Sequence, residues 1–175
     1  MSTELQEDGA IIDTALEALK DEPGSMIVTT AALDPHRFEA PHDRVKIERF
    51  VSHAAIMPHL DLVITHGGMG TTQRALAAGV PLCVVPWGRD QLESARRVQV
   101  ADAGTYVPRR RLTVDRLRTA VREAKARTAG AQRIAEAFAS AGGADKAVDL
   151  LTQLTGSWTK HPLPGSAGRG SSQLA

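Results

Sequence analysis

The stretch Asp61–Gln91 reads DLVITHGGMGTTQRALAAGVPLCVVPWGRDQ, and its reading decides the fold. Leu62-Val63-Ile64-Thr65 is a short apolar run closed by Gly67-Gly68, the pattern of a buried strand meeting a tight turn. Thr71 to Ala78 continues at helical spacing, and Val80 to Pro86 is a second apolar β run. Asp90 to Ala101 is helical again, and Gly104 to Val107 is a last short strand. Strands alternating with helices predict βαβ units and a parallel sheet, an α/β fold of the Rossmann-like, doubly wound kind. The strands are apolar at nearly every position, as expected when helices cover both faces.

Working outward, Ile11, Ile12, Ala15, Leu16 and Leu19 repeat at helical spacing between about Gly9 and Lys20, and Pro23-Gly24 ends that helix. Met26 to Thr30 is a short β run, residues 31–44 are loop, and Val45 to Val51 alternates weakly as a further strand. Ala54 to Leu60 is a short helix or turn. Towards the C-terminus, Thr113 is placed to cap a helix running to about Arg127, with Asp115 in its first turn. Gly130 is expected to break that helix, and a further helix runs to about Ala139. Gly142-Gly143 precedes a final amphipathic helix over Ala144 to Leu154. Residues 156–175 are rich in Gly, Ser and Pro and read as a disordered tail, so residues 1–155 form the expected domain.

The totals exclude several classes. A length of 175 residues fits one ordinary domain with a proper core. Lys and Arg number 21 against 20 Asp and Glu, a balance that gives no pull toward nucleic acid or an anionic membrane. Aromatic residues are 3 % of the chain, so no stacking platform for bases along a strand is visible. The single cysteine, Cys83, lies in the run VPLCVVP and reads as a buried spectator thiol. No intrachain disulfide is possible, the leading residues MSTELQEDGA are no signal peptide, and no apolar run reaches the ~18 residues of a membrane helix. These features predict a cytoplasmic protein without a membrane span.

The chemistry of the quoted stretch lies in its turns. Glycines between a parallel strand and a helix let the backbone turn tightly and approach a ligand. The following helix start offers unpaired N–H groups and partial positive charge, which suit phosphate. His66 can donate a ring N–H there, and Thr71 and Thr72 can add hydroxyls. Taken alone, HGGMGT is equally a tight turn with a helix cap. The spacing matches neither the dinucleotide fingerprint nor the P-loop. Asp90-Gln91 follow the next strand and so belong to the same carboxyl-end rim, where open α/β sheets bind ligands. A carboxylate beside an amide suits the hydroxyls of a sugar, and Asp90 can cap its helix at the same time.

Several ordered blocks carry a resemblance: Phe50-Val51-Ser52-His53, Ile56-Met57, Asp61 to Thr71, Ala77 to Pro81, Pro86 to Gln91, and Ser94-Ala95. Over about residues 9–155 the chain resembles the C-terminal, donor-binding domain of GT-B glycosyltransferases, most of all bacterial members that glycosylate macrolides, flavonoids and similar small molecules. The resemblance implies that His66, Gly68, Gly70 and Thr71 meet the donor diphosphate. It implies that Asp90 and Gln91 hold the donor sugar, and that Phe50 and Val51 meet the base. The implied substrates are a UDP- or dTDP-linked sugar and a small lipophilic acceptor, with no metal and no further cofactor. The chain departs from the family at Ser52-His53, where Pro-Gln is usual, and at Ser94, where Asn is usual. At Arg74 a ribose-holding glutamate is common; the arginine either contacts phosphate or lies on the helix surface, the reading favoured here.

The family has two Rossmann-like domains, the first carrying the acceptor site and its catalytic base. This chain resembles only the second. Its remaining histidines, His36, His42, His53, His59 and His161, match no family base, so the catalytic residue is expected elsewhere. The second domain itself lacks an opening strand, because the helix near 9–20 follows only MSTELQED, with Ser2-Thr3 as a remnant of the first loop. Without that central strand, the strands near 26–30 and 62–65 lose the neighbour that separates them. The expectation is a fragment or an internal start. The alternative is a non-catalytic donor-binding subunit completed by a partner chain that carries the acceptor domain. A ligand-free remnant and a GT-B-fold epimerase are weaker rivals.

Overall fold

A computed structural model describes residues 9–88 and 90–154. The expected tail over 156–175 and the Ser2-Thr3 loop remnant lie outside the described residues. The chain divides into two compact units, Met1–Ser140 and Ala141–Ala175.

In the first unit, α1 (Gly9–Leu19) precedes β1 (Met26–Thr29) and β2 (Val45–Glu48). A short α2 (His53–Ile56) and a 3-10 turn lead to β3 (Val63–Thr65), α3 (Met69–Ala77) and β4 (Leu82–Val84). Then come α4 (Asp90–Val100), β5 (Gly104–Tyr106), α5 (Val114–Lys125) and α6 (Thr128–Ser140). Every strand pair is parallel. Among the described residues the sheet is in two pieces, β1-β2 and β3-β4-β5, and β1 and β3 are not bonded to each other.

Side chains on β4 alternate between two cores, which fixes it as the central strand of its sheet. Cys83 packs with Ile11 and Ala15 of α1 and Leu117 and Val121 of α5. Leu82 and Val84 point the other way, into Ala75 of α3 and Ala95 and Val98 of α4. A third core joins Ile12 and Leu16 of α1 to Val28, Phe38 and Val45. Helix α1 therefore packs on both sheet pieces. It is also tied to α5, whose Arg118 guanidinium donates to the Ala18 carbonyl at 2.9 Å. That carbonyl lies in the last turn of α1, where a cation is favoured. Thr113 caps α5 as expected, its hydroxyl accepting from the Arg116 N–H at 3.3 Å.

Two glycine readings divide. Gly142, with φ 79°, and Gly143, with φ 57°, do interrupt the chain before α7 (Gly143–Leu154). That helix belongs to the second unit and buries none of its residues there. Gly130 does not break a helix; it lies inside α6, and the break falls at 126–127. A Cβ on Gly130 would stand 1.8 Å from the Asp102 carbonyl oxygen. The residue is a glycine so that α6 can press against the turn before β5, a long-range contact that a local breaker rule cannot distinguish.

Cys83 is fully buried, and burial pushes its thiol up to about 11, with a hydrogen bond to Thr105 acting weakly the other way. The native chain is therefore expected to resist a thiol reagent at neutral pH, while urea-unfolded chain labels fully. Rapid labelling of native protein would contradict the central position of β4.

Candidate functional site

The predicted residues follow the carboxyl ends of strands in both sheet pieces. His66 follows β3 directly, Asp90 and Gln91 open α4 just after β4, and Phe50 and Val51 follow β2. All are thus at carboxyl ends of parallel strands, the rim where such sheets bind ligands.

The turn after β3 is built tightly. Gly67 has φ 92°, a conformation that L side chains avoid, and its N–H donates to Thr65 Oγ1 at 3.2 Å. A Cβ there would lie 2.8 Å from Val84 Cγ1 and 3.3 Å from the Gln91 carbonyl oxygen. The turn therefore touches both β4 and the start of α4, which brings the two halves of the quoted stretch into contact. His66 is only 4 % exposed. Its Nε2 lies 2.6 Å from where a Cβ on Gly68 would sit, so the imidazole is tucked under the Gly68 backbone.

Helix α3 starts at Met69, two residues earlier than its periodicity suggests, with Gly68 as N-cap. Its first intrahelical bond runs from the Thr72 N–H to the Gly68 carbonyl at 3.0 Å. The amides of Met69, Gly70 and Thr71 thus form the open end of the helix. A Cβ on Gly70 meets nothing within 4 Å, so the space above that first turn is open. Thr71 is half-buried at its side, and Arg74 lies exposed on the helix surface, as favoured.

The acid–amide pair divides its work. Asp90 is exposed, whereas Gln91 is 5 % exposed, and its side-chain oxygen accepts from the Trp87 N–H at 2.9 Å. Gln91 therefore ties the start of α4, where Asp90 stands, to the loop after β4. Phe50 is 80 % exposed and Val51 half-buried, so the ring stands in solvent at the rim. His53, at the usual glutamine position, is partly buried; burial above all, with the nearby Arg74 charge, holds its imidazole below the ordinary value.

Sequence reasoning missed Trp87 and Arg109. The Arg109 guanidinium lies 3.5 Å from the centre of the Trp87 ring, a cation–π contact. The indole N–H is buried without a hydrogen-bond partner among the described residues, as are the hydroxyls of Thr72 and Ser94. Arg109 comes from the 3-10 turn after β5, and nothing local in RRR marks one arginine as the stacking one. Among the described residues no cluster of three His, Cys, Asp or Glu is placed to hold a metal, and no helix is long and apolar enough to cross a membrane.

Residues 13–154 match the model of the erythromycin biosynthesis protein CIII-like, C-terminal domain. The chain belongs to that family. It is 37 % identical over 144 residues to 4'-demethylrebeccamycin synthase of Lentzea aerocolonigenes, which covers 80 % of this chain and 34 % of that protein. The crystal structure of CalG4, the calicheamicin glycosyltransferase, superposes with TM-score 0.79 at 25 % identity, over 89 % of this chain and 42 % of that one. The glycosyltransferase VinC, solved in complex with dTDP, does so with TM-score 0.64 at 29 % identity, over 70 % and 32 %. The architecture is the Rossmann-like C-terminal half of a GT-B glycosyltransferase. The chain spans well under half the length of these family relatives.

Proposed function

We propose that this chain is the nucleotide-sugar-binding half of a glycosyltransferase that moves a hexosyl group from a UDP- or dTDP-linked donor to a hydroxyl of a small lipophilic acceptor. The observation that carries the reading is the open amino end of α3, with His66 tucked under the Gly67-Gly68 turn at its base. The amides of Met69, Gly70 and Thr71 and the His66 ring supply donors to a diphosphate. As the glycosidic C–O bond breaks, negative charge grows on that diphosphate, and fixed donors stabilise it without a metal. Asp90 accepts from sugar hydroxyls at the start of α4, which Gln91 ties to the loop after β4. Phe50 offers an aromatic face to the base. VinC, itself solved with dTDP, supports a thymidine nucleotide. The base that deprotonates the acceptor hydroxyl belongs to the acceptor-binding half, outside these residues. The lone buried thiol accords with a cytoplasmic setting.

The test is calorimetric titration of the chain with UDP and dTDP, alongside thermal melts at millimolar nucleotide. Saturable binding of at least one, with a raised melting temperature, is the expected result. No binding of either sinks the proposal. The alternative is a non-catalytic, donor-binding subunit of a split enzyme, completed by a partner chain that carries the acceptor domain. Restored sugar transfer on mixing with a separately expressed acceptor half supports it.

A further inference from the structure

Trp87 and Arg109 take no part in the donor contacts above, yet the structure ties both to the start of α4. By alternation along β4, Cys83 and Val85 belong to the core that α1 and α5 cover, and Trp87, two residues on, packs against that same core. Its indole N–H is buried without a hydrogen-bond partner among the described residues, so packing and stacking alone orient the ring. The stacking group is the Arg109 guanidinium, 3.5 Å from the ring centre.

Arg109 stands on a firm base. The Val107 N–H donates to the Val84 carbonyl at 2.8 Å, which carries the β4–β5 ladder past the end of β5. Pro108 then caps the 3-10 turn, which is closed by the Arg111 N–H on the Pro108 carbonyl at 2.8 Å and the Leu112 N–H on the Arg109 carbonyl at 3.0 Å. The guanidinium is thus delivered from the strand beside β4. A planar, delocalised cation suits an aromatic face in a way that a compact ammonium does not.

The main chain of Trp87 carries the contact onward. Its N–H donates to Gln91 Oε1 at 2.9 Å. Gln91 is buried, and Asp90 beside it is exposed at the first position of α4. A displaced Trp87 therefore shifts the group that ties the first turn of α4, and Asp90 with it. A shift of about 0.7 Å takes a good hydrogen bond out of range. We propose that Arg109 is a positioning residue for the donor sugar: its stack on Trp87 fixes the start of α4 and so sets where Asp90 meets the sugar hydroxyls. The proposal rests on the nucleotide-sugar reading above. Arg109 acts through Trp87 and touches neither the sugar nor the diphosphate.

The test uses the full chain and reads the ratio of two affinities, for dTDP-glucose and for dTDP, with UDP-glucose and UDP in parallel. General destabilisation lowers both affinities together and leaves the ratio unmoved. Arg109→Ala is expected to shift the ratio against the nucleotide sugar by about three- to ten-fold, with affinity for the bare nucleotide close to the parent's. Arg109→Lys keeps the charge without the planar stack and is expected to lose most of the same ratio. It also carries the comparison if Arg109→Ala does not fold. In an Asp90→Ala background, Arg109→Ala is expected to add nothing to the ratio, because its effect runs through Asp90. In a Trp158→Phe background Trp87 is the chain's single tryptophan, and Arg109→Ala is expected to shift its emission to the red. An unchanged ratio or unchanged emission in Arg109→Ala overturns the proposal. So does the parent's full ratio in Arg109→Lys, which makes charge rather than stacking the cause, or a further loss in the Asp90→Ala background, which puts Arg109 on the donor itself. A parent chain that binds none of the four nucleotides removes the nucleotide-sugar reading and the proposal with it. A parent that binds them, with a ratio that the Arg109 variants do not move, removes the proposal alone.

Discussion

Gly104→Ala is expected to destabilise the chain by about 3 kcal/mol, the upper end for forcing atoms into a packed interior. A Cβ at Gly104 would stand 2.0 Å from the Leu82 carbonyl oxygen and 2.8 Å from Val98 Cγ1. The first is backbone of β4 and cannot rotate away. The alanine therefore has to push β5 from β4, within the three-stranded sheet piece. The same carbonyl face of Gly104 also receives the Arg127 guanidinium at 2.9 Å, so the displacement strains a second tie. At about 2–4 °C per kcal/mol for a chain of this size, the melting temperature should fall by about 6–12 °C. Gly70→Ala is the control. Its Cβ meets nothing within 4 Å and it sits in a helix, where alanine is favoured by up to about 1 kcal/mol. Equal melts for the two variants would mean that β5 does not pack as described.

His66→Ala is expected to weaken UDP or dTDP binding by about 10- to 100-fold, the value of losing one hydrogen bond to a charged group. The ring is buried at the base of the α3 amino end, so no solvent-exposed neighbour replaces it. Asp90→Ala separates the roles. It should leave affinity for the bare nucleotide little changed and reduce affinity for the nucleotide sugar, because Asp90 stands at the start of α4, after the neighbouring strand β4, and not in the turn after β3. A His66→Ala chain that melts like the parent and binds nucleotide as tightly would remove His66 from the site. If His66→Ala also melts early, the comparison of nucleotide with nucleotide sugar in Asp90→Ala still tests the assignment of the rim.

Much of this was legible in local sequence. Apolar strand runs, helical spacing and the glycines after β3 are short-range signals, and they located every strand and helix of the first unit. The tight turn from His66 to Thr71 and the helix start at Asp90-Gln91 were legible because turn geometry is written in consecutive residues.

Other features depended on chain segments far apart in sequence. Gly130 reads as a breaker, yet its lack of a side chain serves Asp102, a contact set by how α6 packs. Gln91 reads as a partner of Asp90 on the rim, but helical geometry turns it inward to hold the Trp87 N–H. Arg109 reaches Trp87 only because β5 lies beside β4. The sequence alone determined the fold class, the order of elements and the place of the tight turn after β3, because these follow from periodicity and local backbone freedom. Only the tertiary structure decided which polar groups face solvent, which are spent on holding loops, and that α1 packs on both sheet pieces, because those outcomes rest on packing between distant segments.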